Sequence, residues 1–412
     1  MTMKTVAVTA EFNPFHNGHR YLLDQIREKY GKDTAVLAVM SGCYVQRGEV
    51  AIADPYFRAK TAILGGYDLI LELPLPFSVS GAETFSRTAV ELIASLGCVD
   101  VVAFGSECGD LSALQSAAQL LSDPKTAKRI RSLRETESGK KRGTPDLIRE
   151  IVQTADQTAF RDGVGANDLL AIGYLRALRS LASPMEPFAV KRIGGKYESS
   201  RPDDEKYIGA TALRTLLNDH NYKDFAKYIP AECVLAWEEA IGAHSAPATY
   251  SPRLSAAVLA ALIATDPTEL IRRTGLDGGL FSRILDAAKD AVSLDDLIAR
   301  VSCRSASDSE IRRAVLSLWL GFTSPGVDDR PLFTRVFGFS DRGRELLRTI
   351  KRTSSLPILT KTADWVALPG DARNQAEFSL SADRFFGLSL PFPRPASDAY
   401  RGSPCHITAE RD

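Results

Sequence analysis

The sequence EFNPFHNGH at residues 11–19 directly follows the apolar segment Thr5–Ala10, whose length and composition predict a buried strand. From Asn17 as far as Tyr30, apolar side chains recur at the spacing of a helix. Two of the chain's five histidines therefore stand where a strand passes into a helix. In an open parallel sheet, ligands bind beyond the carboxyl ends of the strands, and a helix N-terminus there offers N–H groups to phosphate.

Short apolar runs alternate with helical patterns over the first half of the chain, which is typical of a parallel sheet with crossover helices. Further strands are predicted at Ala35–Met40, Asp68–Leu73, Val99–Phe104 and Val190–Arg192. Later segments are mainly helical, most clearly Leu254–Ala264, Leu280–Ala288, Ile311–Leu320 and Arg342–Lys351. We therefore predict an α/β protein, with a Rossmann-like parallel sheet in residues 1–220, a mainly α-helical C-terminal domain in 221–390 and a loosely ordered tail in 391–412.

Composition sets the broad class. The 412 residues, 44% apolar and 25% charged, are enough for two or three domains with full cores. Neither an apolar run of roughly 18 residues nor a secretory leader pattern is present, which predicts a cytoplasmic protein without a membrane segment. Six cysteines without a CxxC pair argue against a disulfide framework and against a zinc site.

His16 and His19 have two interpretations. Beside a helix N-terminus they can donate hydrogen bonds to phosphate oxygens, and Gly18 lets a nucleotide approach the backbone closely. Alternatively they only cap the first helix, as Asn17 could do by itself. A metal site is not predicted, because no third ligand is suggested nearby and the pair spans a loop–helix joint.

Several blocks, in the same order, resemble the tRNA(Met) cytidine acetate ligase family and, more generally, the HxGH nucleotidylyltransferases and class I aminoacyl-tRNA synthetases. The blocks are EFNPFHNGHRYLL (11–23), MSGCYVQRGEVAIADPYFRAKTAI (40–63), DLILELP (68–74), VVAFGSECGD (101–110), NDLLAIGYLRAL (167–178), RVFGFSDRGRELL (335–347) and LPILTK (356–361). YIGATALR at 207–214 stands where the superfamily carries an ISSTxIR-like sequence. Two positions depart from the family: Gly209 replaces a serine, and Val50 replaces a common proline.

The resemblance implies an N-terminal nucleotidylyltransferase domain and a reaction in two steps. Acetate and ATP, accompanied by Mg²⁺, form acetyl-adenylate and pyrophosphate, and N4 of the wobble cytidine in elongator tRNA(Met) then takes the acetyl group. The carboxylate itself attacks the α-phosphate, so the enzyme needs no nucleophile, and catalysis depends on positioning and charge stabilisation.

The resemblance also implies the residues of the site. The catalytic candidates are His16, His19, Arg47 and Lys60, with Arg58 as a further cation. Contacts to ATP are expected from Val8, Thr9, Ala10, Glu11, Phe12, Asn13, Pro14, Phe15, His16, Asn17, Gly18, His19, Arg20, Tyr21, Gly105, Asn167, Arg192, Thr211 and Arg214. The cations can also be plain surface charges. The loop Ser41–Asp54 either closes over a ligand or is a structured connection.

A basic segment from Lys125 to Arg149 contains nine basic and three acidic side chains. By itself it fits either a solvated helix face or a surface for a polyanion. Given the resemblance, we expect tRNA contacts from Lys125, Lys128, Arg129, Lys140, Lys141 and Arg142. The basic residues of 342–352 form a second candidate surface. A wobble base lies in a single-stranded loop, which an enzyme reaches without opening a duplex.

Two rival functions stay open. A conventional nucleotidylyltransferase joins a nucleotide to a small phosphorylated metabolite, but such an enzyme needs little beyond the first domain. A non-catalytic RNA-binding protein would keep the nucleotide fold only as a scaffold. The presence of Gly18 and both histidines disfavours this second alternative.

Overall fold

The computed structural model describes residues 4–136, 142–193, 206–249, 251–266, 268, 279–303, 306–323, 325–326 and 329–408. The predicted α/β class is confirmed, because one sheet carries helices on both faces. Its parallel strands are β1 (Thr5–Ala10), β2 (Ala35–Ser41), β3 (Leu69–Leu73), β4 (Val101–Ser106) and β5 (Glu186–Lys191). They lie in the order β5-β4-β1-β2-β3.

Strand β2 shows why these strands appear as apolar runs in the sequence. All 7 of its residues are buried. Leu37 and Val39 pack into the core on one face, whereas Val36 and Ala38 pack into the core on the other. Because helices cover both faces, successive side chains are apolar rather than alternating with polar ones.

Helices cover the two faces of the sheet. In chain order they are α1 (Asn17–Tyr30), α2 (Pro55–Leu64), α3 (Ala82–Ser95), α4 (Leu111–Ser122), α5 (Pro124–Glu135), α6 (Thr144–Ala155), α7 (Ala166–Ser180), α8 (Ala210–Asn218), α9 (Tyr222–Phe225) and α10 (Ala231–Gly242). Helices α1, α2, α8 and α10 pack on one face. Helices α3, α4, α6 and α7 pack on the other, and α5 packs against α4 and α6.

The next helices form a cluster around a further core, to which Tyr44 and Leu75 from the N-terminal part also belong. They are α11 (Pro252–Ala264), α12 (Gly279–Ala288), α13 (Leu294–Val301) and α14 (Asp308–Leu320). Within the residues that the structure describes, no helix combines the length and the apolar character needed to cross a bilayer.

The chain then returns to the sheet, which departs from the predicted division at residue 220. Strand β6 (Thr334–Ser340) pairs antiparallel with β3, and β7 (Ile358–Leu359) and β8 (Cys405–Ile407) pair with β6. Helix α15 (Asp341–Thr353) packs on the same sheet, and α16 (Gly370–Asp383) follows. Thus β6, predicted within a helical domain, and β8, predicted within a loose tail, both join the sheet of the N-terminal part.

Strand β6 is hard to predict from the sequence because it contains the charged residue Arg335. This side chain is buried, and a buried charge is costly unless it is paired. Arg335 Nη2 donates to Glu72 Oε1 on β3 at 2.6 Å and to Asp383 Oδ2 at the end of α16 at 2.7 Å. These partners are more than forty residues away in sequence, so only the tertiary structure makes Arg335 compatible with a strand.

Candidate active site

A cavity lies at β1, the strand on whose two sides the other parallel strands are added. Strands β2 and β3 extend the sheet on one side of β1, whereas β4 and β5 extend it on the other. At such a switch point the connections leave in opposite directions and a crevice forms at the carboxyl ends of the strands. The cavity is lined by Thr9, Ala10, Glu11, Phe12, Asn13, His16, Gly18, His19, Tyr21, Leu22, Gln46, Arg47, Glu49, Phe85, Phe104, Gly105, Asn167, Leu170, Tyr174, Val190, Lys191, Arg192, Ile193, Tyr207, Ile208, Gly209, Ala210, Thr211 and Arg214.

The cavity brings most of the expected site residues together, although they come from six separate parts of the sequence. Those in the lining are Thr9, Ala10, Glu11, Phe12, Asn13, His16, Gly18, His19, Tyr21, Arg47, Gly105, Asn167, Arg192, Thr211 and Arg214. Val8, Pro14 and Phe15 are buried outside the lining. Asn17 Nδ2 donates to backbone carbonyls, and Arg20 pairs with acidic side chains of α1 and α10.

Two of the expected cations lie elsewhere. Lys60 lies on α2, outside the lining, with its Nζ 3.5 Å from Glu239 Oε2. Arg58 is completely buried and donates to the backbone carbonyls of Ala53 and Ser41 at 3.0 and 2.9 Å. It also donates to the carbonyl of Gly42. Arg58 therefore ties the loop after β2 to the start of α2, which is a structural role.

His16 and His19 form a reciprocal cap at the N-terminus of α1. His16 Nδ1 accepts a hydrogen bond from Gly18 N–H at 3.0 Å, and His19 Nδ1 accepts one from His16 N–H at 3.2 Å. A neutral imidazole carries one ring proton, so both protons lie on Nε2. The two interpretations from the sequence are therefore compatible, because the capping bonds leave an Nε2–H donor on each ring.

Burial keeps both rings neutral. Burial and, to a smaller extent, the nearby positive charge of Arg192 lower the pKa of His16 to about 3. Burial also lowers the pKa of His19, with smaller effects from His16 and Arg192. A polyanion in the cavity would oppose both effects by favouring the protonated form. Each neutral ring can therefore donate one hydrogen bond to a negatively charged ligand.

The backbone around the histidines is tightly constrained. A Cβ atom at Gly18 would lie 2.8 Å from His16 Cε1, so only glycine leaves room for this ring. Phe12 has a positive φ of 45°, a conformation that costs a non-glycine residue about 1–2 kcal/mol. The centroid of the Phe12 ring lies 5.0 Å from that of the His19 ring and 5.1 Å from that of the Tyr67 ring, and this packing holds Phe12 in place.

Positive charge predominates in the lining. Its cations are Arg47, Lys191, Arg192 and Arg214, and its acids are Glu11 and Glu49. Arg214 donates to Asn13 O at 3.1 Å and lies 3.4 Å from Glu49 Oε2. Burial raises the pKa of Glu11, although its hydrogen bond from Gln46 N–H opposes this. A second helix N-terminus adds to the field, because Gly209, Ala210 and Thr211 at the start of α8 all line the cavity.

The substitution at Gly209 leaves the start of α8 without a side-chain cap. Gly209 is the N-cap residue and has no side chain to accept from the first turn. Thr211, two residues after Gly209, contributes a hydroxyl that lies 3.4 Å from Arg214 Nη2. Backbone N–H groups and Thr211 therefore remain as donors at the position where the family carries serine.

The loop Ser41–Asp54 is largely a structured connection. Its Ile52 N–H donates to Asn13 Oδ1 at 2.7 Å, and its Gln46 N–H donates to Glu11 Oε1 at 2.7 Å. Tyr44 and Val50 are buried in the core of the helical cluster. The tip nevertheless supplies Gln46, Arg47 and Glu49 to the cavity.

Glu107 positions Asn167 at the start of α7. Its carboxylate accepts from Asn167 Nδ2 at 2.6 Å and from Asp168 N–H at 2.8 Å, a favourable place for negative charge at a helix N-terminus. The wholly buried Asp168 accepts from Ser106 Oγ at 2.6 Å and so ties α7 to the end of β4. These bonds fix the helix that forms one wall of the cavity.

Sequence reasoning did not assign several lining residues. Tyr174 is an example: its hydroxyl accepts a hydrogen bond from Thr9 Oγ1. A signal for it exists, because Asn167, Leu170 and Tyr174 recur at intervals of three and four residues and so share one face of α7. Lys191 and Tyr207 belong to segments without such periodicity and are brought in by the fold alone.

Metal ligands are not gathered at the cavity. Among the described residues, no group of three or more His, Cys, Asp and Glu side chains is arranged to hold a metal ion. Glu11 and Glu49 are the acidic residues of the lining, and each is engaged by a neighbouring donor.

The described residues of the basic segment lie on α5, on α6 and in the short stretches beside them, and none of them is in the cavity lining. Lys125, Lys128 and Arg129 are exposed on α5. Arg142 is half-buried, and its Nη1 lies 2.6 Å from Glu150 Oε2. Lys140 and Lys141 lie outside the described residues. On α15, the exposed basic residues are Arg344, Arg348, Lys351 and Arg352, whereas Arg342 is half-buried and donates to backbone carbonyls.

Comparison with protein families and curated proteins extends over almost the whole chain. The family model described as HIGH Nucleotidyl Transferase matches residues 3–398. A tRNA(Met) cytidine acetate ligase of Caldanaerobacter subterraneus subsp. tengcongensis is 35% identical over 377 residues, covering 90% of this chain and 92% of that protein. A protein of the same name from Acetivibrio thermocellus is 30% identical over 374 residues, covering 88% and 89%.

Solved structures are similar as well. The crystal structure of Thermotoga maritima TmcAL in its apo form I matches with a TM-score of 0.88 and 25% identity, covering 99% of this chain and 100% of that one. Form II of the same protein, bound with alpha-thio ATP, matches with a TM-score of 0.85 and 26% identity, covering 98% and 100%.

Proposed function

The chain belongs to the HIGH nucleotidyl transferase family and, within it, to the tRNA(Met) cytidine acetate ligases, and from this premise we propose that it activates acetate with ATP and transfers the acetyl group to a cytidine of tRNA(Met). The observation that carries the proposal is the His16–His19 pair, which points two neutral donors into a cavity with an excess of positive charge. The binding of alpha-thio ATP by a structurally similar protein supports ATP as the ligand.

In the first step, an acetate oxygen attacks the α-phosphorus of ATP, the bond to the bridging oxygen breaks, and pyrophosphate leaves. Negative charge accumulates on the oxygens of the α-phosphoryl group and of the departing pyrophosphate. Hydrogen bonds from His16 and His19, with Arg47 and Arg214, stabilise that charge. Because the donors are already fixed by capping bonds and packing, little reorganisation is needed when the charge develops.

In the second step, N4 of the wobble cytidine attacks the carbonyl carbon of acetyl-adenylate. The acyl–oxygen bond breaks, AMP leaves, and N4 loses one proton to give N4-acetylcytidine. The exposed basic residues of α5 and α15 are the proposed contacts for the tRNA, because their charges can neutralise backbone phosphates. Since tRNA is the acceptor, the proposed location is the cytoplasm.

Mg²⁺ enters this proposal only with the nucleotide. The cavity offers Glu11 and Glu49 rather than a carboxylate cluster, so phosphate oxygens would supply most of the ligands to the ion. We therefore assign no step of the reaction to a protein-held metal.

Pyrophosphate release from ATP distinguishes the proposal from its rivals. Wild-type protein is assayed with acetate alone and, separately, with nicotinamide mononucleotide or phosphopantetheine. The proposal predicts release that depends on acetate. Release only with a phosphorylated metabolite would establish the conventional nucleotidylyltransferase instead, and tRNA binding without any ATP-dependent product would favour the RNA-binding scaffold.

A further inference from the structure

A hairpin connects the helical cluster with the nucleotide cavity. Within the loop Ser41–Asp54, Tyr44 and Val50 form an antiparallel bridge, and Val45 N–H donates to Glu49 O at 2.9 Å. We call residues 46–49 the hairpin tip. Tyr44 and Val50, at the base of the tip, are buried in the core of the helical cluster, while Arg47 at the tip lines the cavity. The hairpin therefore belongs to both parts of the molecule.

Helix α14 holds this tip directly. Gly48 has a positive φ of 75°, and a Cβ there would lie 2.5 Å from Arg313 N, so the tip backbone lies against the helix. Arg313 Nη1 donates to Gln46 O at 3.4 Å. On the opposite side, Gln46 N–H donates to Glu11 Oε1 at 2.7 Å. The peptide groups of Gln46 are thus held from the helical cluster and from the cavity wall at once.

The tip also brings two like charges together. Burial lowers the pKa of Arg313, and the positive charges of Arg313 and Arg47 repel each other. The attraction between Glu310 and Arg313 opposes this repulsion and is the larger of the two charge effects. An additional negative charge in the cavity would reduce the repulsion further. Arg47 faces the cavity and Arg313 does not line it, so an anion in the cavity would meet Arg47 first.

We propose that Arg313 is a positioning residue for ATP, acting through the hairpin tip to keep Arg47 directed at the polyphosphate. The helical cluster is then part of the nucleotide site, in addition to any contact that it makes with RNA. This role of Arg313 depends on the proposed function in one respect only: the cavity must bind ATP.

ATP binding by isothermal titration and the kinetics of acetate-dependent pyrophosphate release test this role. Arg313→Ala should raise the Kd for ATP about tenfold, the cost of losing one charge-assisted contact. It should also lower kcat, because Arg47 is among the groups that stabilise the developing charge. Arg313→Lys should recover most of the affinity, because its ammonium can still donate to a carbonyl. Arg312→Ala is the matched control: Arg312 Nη2 lies 3.2 Å from Asp295 Oδ1, within the helical cluster.

A double-mutant cycle shows whether Arg313 acts through Arg47. If it does, Arg47→Ala with Arg313→Ala should bind ATP no more weakly than Arg47→Ala alone. Losses that multiply independently would overturn the proposed route, as would a folded Arg313→Ala protein with wild-type ATP affinity. A wild-type protein that does not bind ATP would refute the proposed function itself, which separates the two failures.

Discussion

Replacing Gly18 by alanine separates the proposed catalytic role of the histidine pair from its role in stability. The new Cβ would lie 2.8 Å from His16 Cε1 and 3.0 Å from His16 Nδ1, so the ring must move. The hydrogen bond from Gly18 N–H to His16 Nδ1 is then lost, which lowers the free energy of unfolding by about 1 kcal/mol, as for other N-caps. Alanine in place of glycine in a helix returns up to about 1 kcal/mol. The net change in the free energy of unfolding should therefore be small.

The rate of adenylation, in contrast, should fall strongly in Gly18→Ala. Displacing one donor that stabilises developing negative charge typically lowers kcat about 10²–10³-fold, or about 2.7–4 kcal/mol. Acetate-dependent exchange of labelled pyrophosphate into ATP measures the first step without tRNA, and urea denaturation measures stability. We expect loss of exchange in Gly18→Ala with a denaturation midpoint close to that of the wild type.

Gly81→Ala provides the matched control. Gly81 also lies at the start of a helix, α3, with φ −61°, and a Cβ there would meet no atom within 4 Å. It should exchange pyrophosphate at the wild-type rate. Wild-type exchange by Gly18→Ala would show that the position of the His16 ring is not important for adenylation, and the reasoning would be refuted.

Three further perturbations test other parts of the structure. The pKa of His16 is about 3 in the native state, below that of an unfolded histidine, so the free energy of unfolding should fall as the pH drops from about 6.5 towards 3. Urea denaturation at pH 7 and at pH 5 measures this fall, which should be smaller in His16→Asn than in the wild type. Arg58→Met should lower the free energy of unfolding by at least about 3 kcal/mol in the same assay, because buried carbonyls lose their donors; a near-neutral change would contradict the structural role. Reversing the charges of Lys125, Lys128 and Arg129 should weaken tRNA binding and reduce the slope of log affinity against log salt concentration by roughly 2–3. Acetate-dependent ATP turnover should stay intact. An unchanged affinity for tRNA would exclude α5 from the interface.

The elements with the strongest local patterns could be predicted from the sequence. Thr5–Ala10 is a strand with the predicted bounds, and helix α1 begins at Asn17 as expected. Both follow from apolar residues at regular spacing, and the position of a ligand site at their junction follows from the geometry of parallel sheets. The sequence therefore predicted the place of the cavity.

Features that depend on distant partners could not be predicted in the same way. Lys60 and Arg214 are equivalent as cations in a sequence, but α2 directs Lys60 towards Glu239, while α8 brings Arg214 to the cavity. The role of Gly18 is another example. Close approach of a ligand was expected there, whereas the structure shows that its missing side chain makes room for the His16 ring.

Incorporation of labelled acetate into unmodified elongator tRNA(Met) with ATP tests the central claim most directly, with wild-type protein compared with His19→Ala. We expect label at N4 of the wobble cytidine with the wild type and its loss in the variant, which lacks the imidazole donor in the first turn of α1. Label that persists undiminished in His19→Ala would contradict the assigned site, and a wild-type protein that binds ATP but transfers no acetate would contradict the reaction.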